Sequence, residues 1–299
     1  MATHELDRAL DSIAGRAALF EEGNFALRAK ALDDLEFHLI GRLDGLLAAS
    51  PASSELARLR ERAERAREQL ERVNLRLFER LRAEIRAGAL RGPAFSRLLS
   101  LYLPRRTLGG ARSAAGYDNL DLFVNGLLHP HGAPTTTTVS HPEMVGYQPT
   151  PARVIFELAS RARPGARDLF YDLGSGLGNV ALLVHLLSGA PARGVELEAA
   201  YCDHAASVAR GLNLGRVEFI RADARAVDCA DGSIFFMYTP CRGAMLQQVL
   251  DNLRRAARGR NISLFTYGPC TPVVARQDWL AGEGQRAWST ERLAAFRSL

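Results

Sequence analysis

The stretch that most constrains this chain is Asp168 to Val180, DLFYDLGSGLGNV. Leu169, Phe170 and Tyr171 make a short apolar run of the kind that forms a buried parallel strand. Gly174, Gly176 and Gly178 follow, and NVALLVHLL then reads as a buried helix. Strand, glycine turn and helix together bring bare backbone N–H groups up to a ligand. A dinucleotide fingerprint requires G-x-G-x-x-G, and Asn179 stands where its third glycine belongs. The pattern present is D-x-G-x-G-x-G, with Asp172 ending the strand. Taken alone, the stretch also fits a purely structural turn.

Downstream residues separate the two readings. Strands are expected at 168–172, 193–197, 216–220, 233–238 and 262–267, with helical patterns between them. Such alternation means a parallel sheet with right-handed crossovers and helices on both faces. Open parallel sheets bind ligands beyond the carboxyl ends of their strands. The second strand ends at Glu196, whose carboxylate can accept from both hydroxyls of a ribose. Glu198, two residues on, suits a helix N-terminus. After the third strand, Asp223 is placed to accept from an adenine amino group, and the Ala224 N–H can donate to the ring. At Asp172 a carboxylate repels a pyrophosphate and welcomes the ammonium and sulfonium charges of S-adenosylmethionine. Three acids at three consecutive strand ends suit one nucleoside with a cationic tail.

The D-x-G-x-G-x-G stretch resembles motif I of the class I S-adenosylmethionine-dependent methyltransferases. That resemblance implies an α/β fold, a Rossmann-like class I methyltransferase sheet with antiparallel edge strands, for which 287–298 is the candidate segment. It implies S-adenosyl-L-methionine as cofactor, held by Asp172, Gly174, Ser175, Gly176, Gly178, Asn179, Glu196, Asp223 and Ala224. Over 143–241, EMVGYQPTPARVIFEL, DLFYDLGSGLGNVALLV and SIFFMY resemble the disruptor-of-telomeric-silencing family of non-SET histone lysine methyltransferases. Tyr147 and Thr150 match a tyrosine and threonine that contact the methionine end of the cofactor there, and Asn179 matches a polar amide. Pro149 stands where that family has an acid, and Tyr238-Thr239 where it has asparagine and phenylalanine. The resemblance implies transfer to an amine such as a protein lysine.

Tyr147, Tyr238 and Tyr267 are the candidate catalytic residues, lining an aromatic channel in which a lysine ammonium sheds its proton. Hydroxyl acceptors need a positioned base, and no histidine falls at a strand end of this domain. A small-molecule acceptor is the alternative. So is an interaction module that keeps the cofactor as a structural ligand. An NAD-linked oxidoreductase is counted against by Asp172 and Asn179.

Before residue 143 the pattern is helical. Leu27, Leu32, Leu35, Leu39 and Leu43 have helical spacing, and Ser53 or Ser54 caps a following helix that runs to about Arg86. Leu59, Ala63, Ala66, Leu70, Val73 and Leu77 step by four and three, a short heptad seam that offers a route to a homodimer. Eleven arginines and seven glutamates between Pro51 and Arg91, with pairs such as Glu61/Arg65 and Glu68/Arg72, read as a solvated ion-paired face. Further helices are expected at 94–103 and 119–128. The domains are therefore an N-terminal all-helical domain at 1–128, a Pro- and Thr-rich linker at 129–142, and a cofactor-binding domain at 143–299. That last domain opens with Thr150 as N-cap and Pro151 as the first helical residue. Linker residues His129, His131 and His141 read as exposed loop histidines, with no metal site expected.

Composition adds limits. The 299 residues, 47% hydrophobic and 24% charged, suffice for a full core. No apolar run reaches the roughly 18 residues of a membrane span. The first residues give no signal-peptide hydrophobic core, so a cytoplasmic location is expected. Net charge is +5, with one lysine among 38 basic residues; this permits nucleic-acid contact without indicating it. Cys202, Cys229, Cys241 and Cys270 have no paired spacing and read as isolated thiols. His185 reads as packed inside its helix.

Overall fold

The computed structural model describes residues 2–102, 117–136, 142–284 and 288–299. His141 with residues 137–140, Leu103 and Ala287 lie outside them. The chain forms two compact units, residues 1–82 with 97–127 and residues 83–96 with 128–299.

The first unit is helical. Helix α1 spans Ala2–Ala14, and α2, Phe25–Asp33, continues through a π-helical segment, Asp34–Ile40, into α3, Gly41–Ala49. Helix α4 is the long Ser54–Arg86 element, and its start is capped by the Ser53 hydroxyl accepting from Leu56 N–H at 3.4 Å. Helices α5, Pro93–Tyr102, and α6, Asn119–Leu128, follow. The expected ion pairs lie on exposed side chains, Glu61–Arg65 at 2.6 Å and Glu68–Arg72 at 3.8 Å. The seam is not free. Leu59, Ala63, Ala66 and Leu70 pack with Leu6, Leu10, Leu35, Leu39 and Leu43 in one buried cluster, and Val73 and Leu77 are buried as well. A stripe covered by helices of its own chain is not available as the dimer seam. Phe25, Phe78 and Phe123 meet edge to face at centroid distances of 5.1–5.7 Å.

The second unit carries the sheet. Helix α7 spans Ala152–Ala162, and then β1 Phe170–Leu173, α8 Asn179–Ser188, β2 Ala192–Glu196, α9 Ala199–Gly211 and β3 Val217–Arg221 alternate. They are followed by β4 Ile234–Tyr238, α10 Gly243–Ala256, β5 Ser263–Tyr267, the short α11 Thr271–Val274, β6 Leu280–Gly282 and β7 Ala294–Ser298. Strand order is β3-β2-β1-β4-β5-β7-β6. The first five strands are parallel, and β7 runs antiparallel to both β5 and β6. This is the expected α/β, Rossmann-like sheet with its antiparallel edge. The order reverses between β1 and β4, which is where a doubly wound sheet opens its crevice.

Two local expectations change. Pro151, not Thr150, stands at the N-cap of α7, with no side chain capping the helix, while Thr150 is buried. Asp168 lies outside β1; its carboxylate accepts from Gly165 N–H and the Ser233 hydroxyl at 2.8 and 2.9 Å. Among the described residues no helix is long and apolar enough to cross a membrane.

Candidate functional site

A cavity of about 370 Å³ opens at the carboxyl ends of β1, β2 and β4, a volume in the range of small-molecule sites. Its floor is the turn after β1. Gly174 and Gly176 have φ of 82° and 52°, a region that suits glycine. Each is also pressed from above. A Cβ at Gly174 would stand 2.6 Å from Pro240 Cβ, and one at Gly176 would collide with the Tyr147 ring. The turn is glycine-rich because both the dihedrals and the neighbours leave no room for a side chain.

Asp172 lines this floor at 2% exposure. Burial, and then the charge of Glu196, pushes its carboxyl well above the usual range. Asp172 Oδ2 and the Ser175 hydroxyl are both buried without hydrogen-bond partners among the described residues. Buried polar atoms normally have partners, which sets this pair apart from the other lining groups.

Glu196 ends β2 as expected and is already engaged. Its Oε2 accepts from Gly176 N–H at 2.7 Å and its Oε1 from Glu198 N–H at 2.8 Å. Each carboxylate oxygen keeps the capacity to accept a second hydrogen bond. Glu198 caps α9, accepting from Ala200 N–H at 3.2 Å. Asp223 and Ala224 line the wall beyond β3, but Asp223 is gripped by its own neighbour. Arg225 Nε stands 3.0 and 2.9 Å from its two oxygens, and Arg225 Nη2 stands 2.5 Å from Oδ2. That pair holds the Asp223 carboxyl below its ordinary range.

Over the floor lies the segment before α7. Glu143 accepts from Met245 N–H at 2.9 Å at the start of α10, and Val145 N–H donates to Pro240 O at 3.3 Å. This strap places Tyr147 and Thr150 in the lining. Tyr147, 39% exposed, pairs with Tyr201 at a centroid distance of 5.1 Å. Tyr201 also lines the cavity, and sequence reading missed it because α9 carries no pattern that separates it from an ordinary helix tyrosine.

The candidate tyrosines divide. Tyr238 ends β4 and lines the cavity. Its register partner Tyr267, on β5, is 6% exposed and outside the lining, with its ring packed behind Tyr238 at 4.9 Å. Of the three expected tyrosines, Tyr147 and Tyr238 therefore line the cavity together with Tyr201, and Tyr267 does not. Between the two strand ends, Thr239 has φ of 41°. Its hydroxyl accepts from Cys270 N–H at 3.1 Å and donates to Tyr267 O at 3.3 Å.

The histidines depart furthest from expectation. His131 is exposed, but His129 is 9% exposed and belongs to the second unit. Its Nε2 meets Asn179 Oδ1, and its Nδ1 stands 2.9 Å from His204 Nε2. Asn179, the first residue of α8, lines the cavity. His185 is packed as expected, Nδ1 donating to Ala190 O at 2.7 Å. All four cysteines are free and buried, and burial pushes Cys241 up to about 11, the opposite of the lowered value that marks a reactive thiol. No metal-binding cluster occurs among the described residues.

No protein-family profile and no curated protein matches the sequence. Among solved structures, the chain is similar to an RNA methyltransferase from Salinibacter ruber in complex with S-adenosyl-L-homocysteine. Identity there is 21%, over 50% of this chain and 92% of that one, with a TM-score of 0.40. It is also similar to precorrin-6y C5,15-methyltransferase from Geobacter metallireducens GS-15, at 16% identity over 54% and 92% of the two chains, TM-score 0.39. A third is TrmN from Thermus thermophilus, at 22% identity over 50% of this chain, TM-score 0.38; the match spans 48% of TrmN.

Proposed function

We propose that the second unit binds S-adenosylmethionine in this cavity and promotes methyl transfer to an amine nitrogen, with a protein lysine as the expected acceptor. The observation that carries this reading is the floor, where Asp172 and Ser175 line the cavity and Asp172 Oδ2 and the Ser175 hydroxyl are buried without partners among the described residues. An unpartnered buried carboxyl costs free energy unless a cation or donor arrives. The ammonium of a methionyl group is such a partner. Glu196 has lone pairs for a ribose diol, and Ala224 and Asp223 stand where an adenine edge would lie. Asp223 is shared with Arg225, so its hold on that edge is weaker than sequence alone implies.

When bound, S-adenosylmethionine supplies a methyl carbon made electrophilic by its sulfonium. The chain's own residues bind, align and exclude water. The strap residues Tyr147 and Thr150 close over the glycine turn, and Tyr238 walls the acceptor side. Alignment alone can supply much of the rate. Among the described lining residues there is no histidine, so an acceptor that needs a positioned base is disfavoured. An amine desolvated against Tyr147 and Tyr238 loses its proton more readily. Residues 143–299 are proposed to carry this chemistry, with the helices of 1–82 and 97–127 as a separate domain, since 83–96 and 128–136 cluster with the sheet.

Purified protein incubated with methyl-labelled cofactor and fractionated cell extract tests the reading. Mass spectrometry of the labelled product should show an N-methyl group. A methyl ether, ester or thioether would overturn the acceptor, and failure to bind S-adenosyl-L-homocysteine in calorimetric titration would overturn the cofactor.

A further inference from the structure

His129 stands in a stretch of prolines and threonines that has no periodicity, yet it is among the buried polar residues of the second unit. Both of its ring nitrogens are engaged, Nε2 with the Asn179 amide oxygen and Nδ1 with His204 Nε2. The two imidazoles lie 5.1 Å apart at 34°. An amide oxygen only accepts, so His129 Nε2 carries the proton. A neutral imidazole has one N–H, so Nδ1 is bare and His204 Nε2–H donates to it. Hydrogen bonds then run in one direction, from His204 to His129 to Asn179.

We propose, building on the reading of the cavity as a cofactor site, that His129, backed by His204, is a positioning residue that fixes the orientation of the Asn179 amide in the cavity wall. The two faces of an asparagine amide have nearly the same shape and opposite hydrogen-bonding character. Turning the Asn179 NH2 toward His129 would oppose two donors and leave the amide oxygen elsewhere. By holding the oxygen, His129 decides which polarity the amide presents at the start of α8. Burial, the largest cause, pushes His129 down to about 4. The imidazole therefore stays in the neutral form, with one donor and one acceptor, that this chain of bonds requires.

The test uses the full chain and S-adenosyl-L-homocysteine as probe. His129→Phe keeps the ring shape without the donor and should weaken binding roughly tenfold, the effect of one buried hydrogen bond. His129→Gln sets an amide N–H near the position of Nε2 and should restore affinity to within roughly threefold of the starting protein. In an Asn179→Ala background, His129→Phe should change binding no further, because the histidine acts through that amide. Equal binding by His129→Phe, no rescue by His129→Gln, or an undiminished loss in the Asn179→Ala background would each overturn the proposal. Nitrogen-15 NMR of histidine-labelled protein without ligand gives an independent readout. His129 should be the Nε2–H tautomer, and an Nδ1–H tautomer overturns the proposal. If the unmutated protein does not bind the probe, the cofactor reading fails, while the tautomer still decides the role of His129.

Discussion

Glu196 Oε2 accepts from the Gly176 N–H at 2.7 Å, so the carboxylate that ends β2 holds the glycine turn that follows β1. The same side chain accepts from Glu198 N–H through its other oxygen. One residue thus shapes the turn and faces the cavity.

Glu196→Ala should weaken S-adenosyl-L-homocysteine binding by about one to two orders of magnitude, the loss of a charged acceptor worth roughly 1.5–3 kcal/mol. Glu196→Gln keeps an amide oxygen for one of the two backbone donors and should lose less. Calorimetric titration measures both, and an unchanged dissociation constant for the alanine variant would place the ribose elsewhere.

Asp172 makes affinity depend on pH in a defined direction. Its carboxyl is raised by burial and then by Glu196, while a cationic ligand favours the ionised form. Below the raised pKa, binding must expel a proton, so affinity climbs as pH rises and levels off above it. Calorimetry in two buffers of different ionisation enthalpy should show proton release, which Asp172→Asn abolishes. Without ligand, the folded state binds the extra proton, so Asp172 removes stability as pH rises from its unfolded toward its folded pKa. Asp172→Asn should therefore be the more stable protein at neutral pH.

His129 acts on stability in the opposite sense. Its folded value is about 4 against 6.5 for the free side chain, so the unfolded chain takes up a proton first. The stabilisation is complete above the unfolded pKa and is lost as pH falls from about 6.5 to about 4, to a total of roughly 3 kcal/mol. Lowered pKa values at His185 and His204 add to the same window. The slope of denaturation free energy between pH 4 and 6.5 should therefore be shallower, not flat, in His129→Gln. Equal slopes would show that His129 titrates normally.

Thr239→Val preserves shape and β-branching but removes the hydroxyl that joins the ends of β4 and β5. It leaves Cys270 N–H without its acceptor, a loss of about 1–3 kcal/mol. Thr239 already holds a backbone conformation with φ of 41° that is costly for a β-branched residue, and the hydroxyl bonds are what retain it. Chemical denaturation measures the loss, and a stability equal to the starting protein would mean that packing alone holds the turn.

Several features were legible because they depend on neighbours within a turn or two. The apolar run at β1, the three glycines and the apolar helix α8 are encoded within about twenty consecutive residues. The five parallel strands fall within two residues of their expected bounds, and Glu198 caps α9 as its position after β2 suggests. The buried stripe of α4 followed from its four-and-three spacing. What covers the stripe did not, because that spacing is the same whether the partner helix belongs to another copy or, as here, to Leu6–Leu43 of the same chain.

The sequence by itself determined the α/β alternation, the glycine turn and the acids at the strand ends, since side-chain period and backbone dihedrals act locally. Only the tertiary structure decided which of those groups share the cavity. Register between β4 and β5 set Tyr267 behind Tyr238, and a rotamer of Arg225 took hold of Asp223. Burial drew His129 out of an unpatterned loop to meet Asn179, fifty positions away. Contacts of that span arise when the chain closes on itself to bury apolar surface, and no local period records where they will fall.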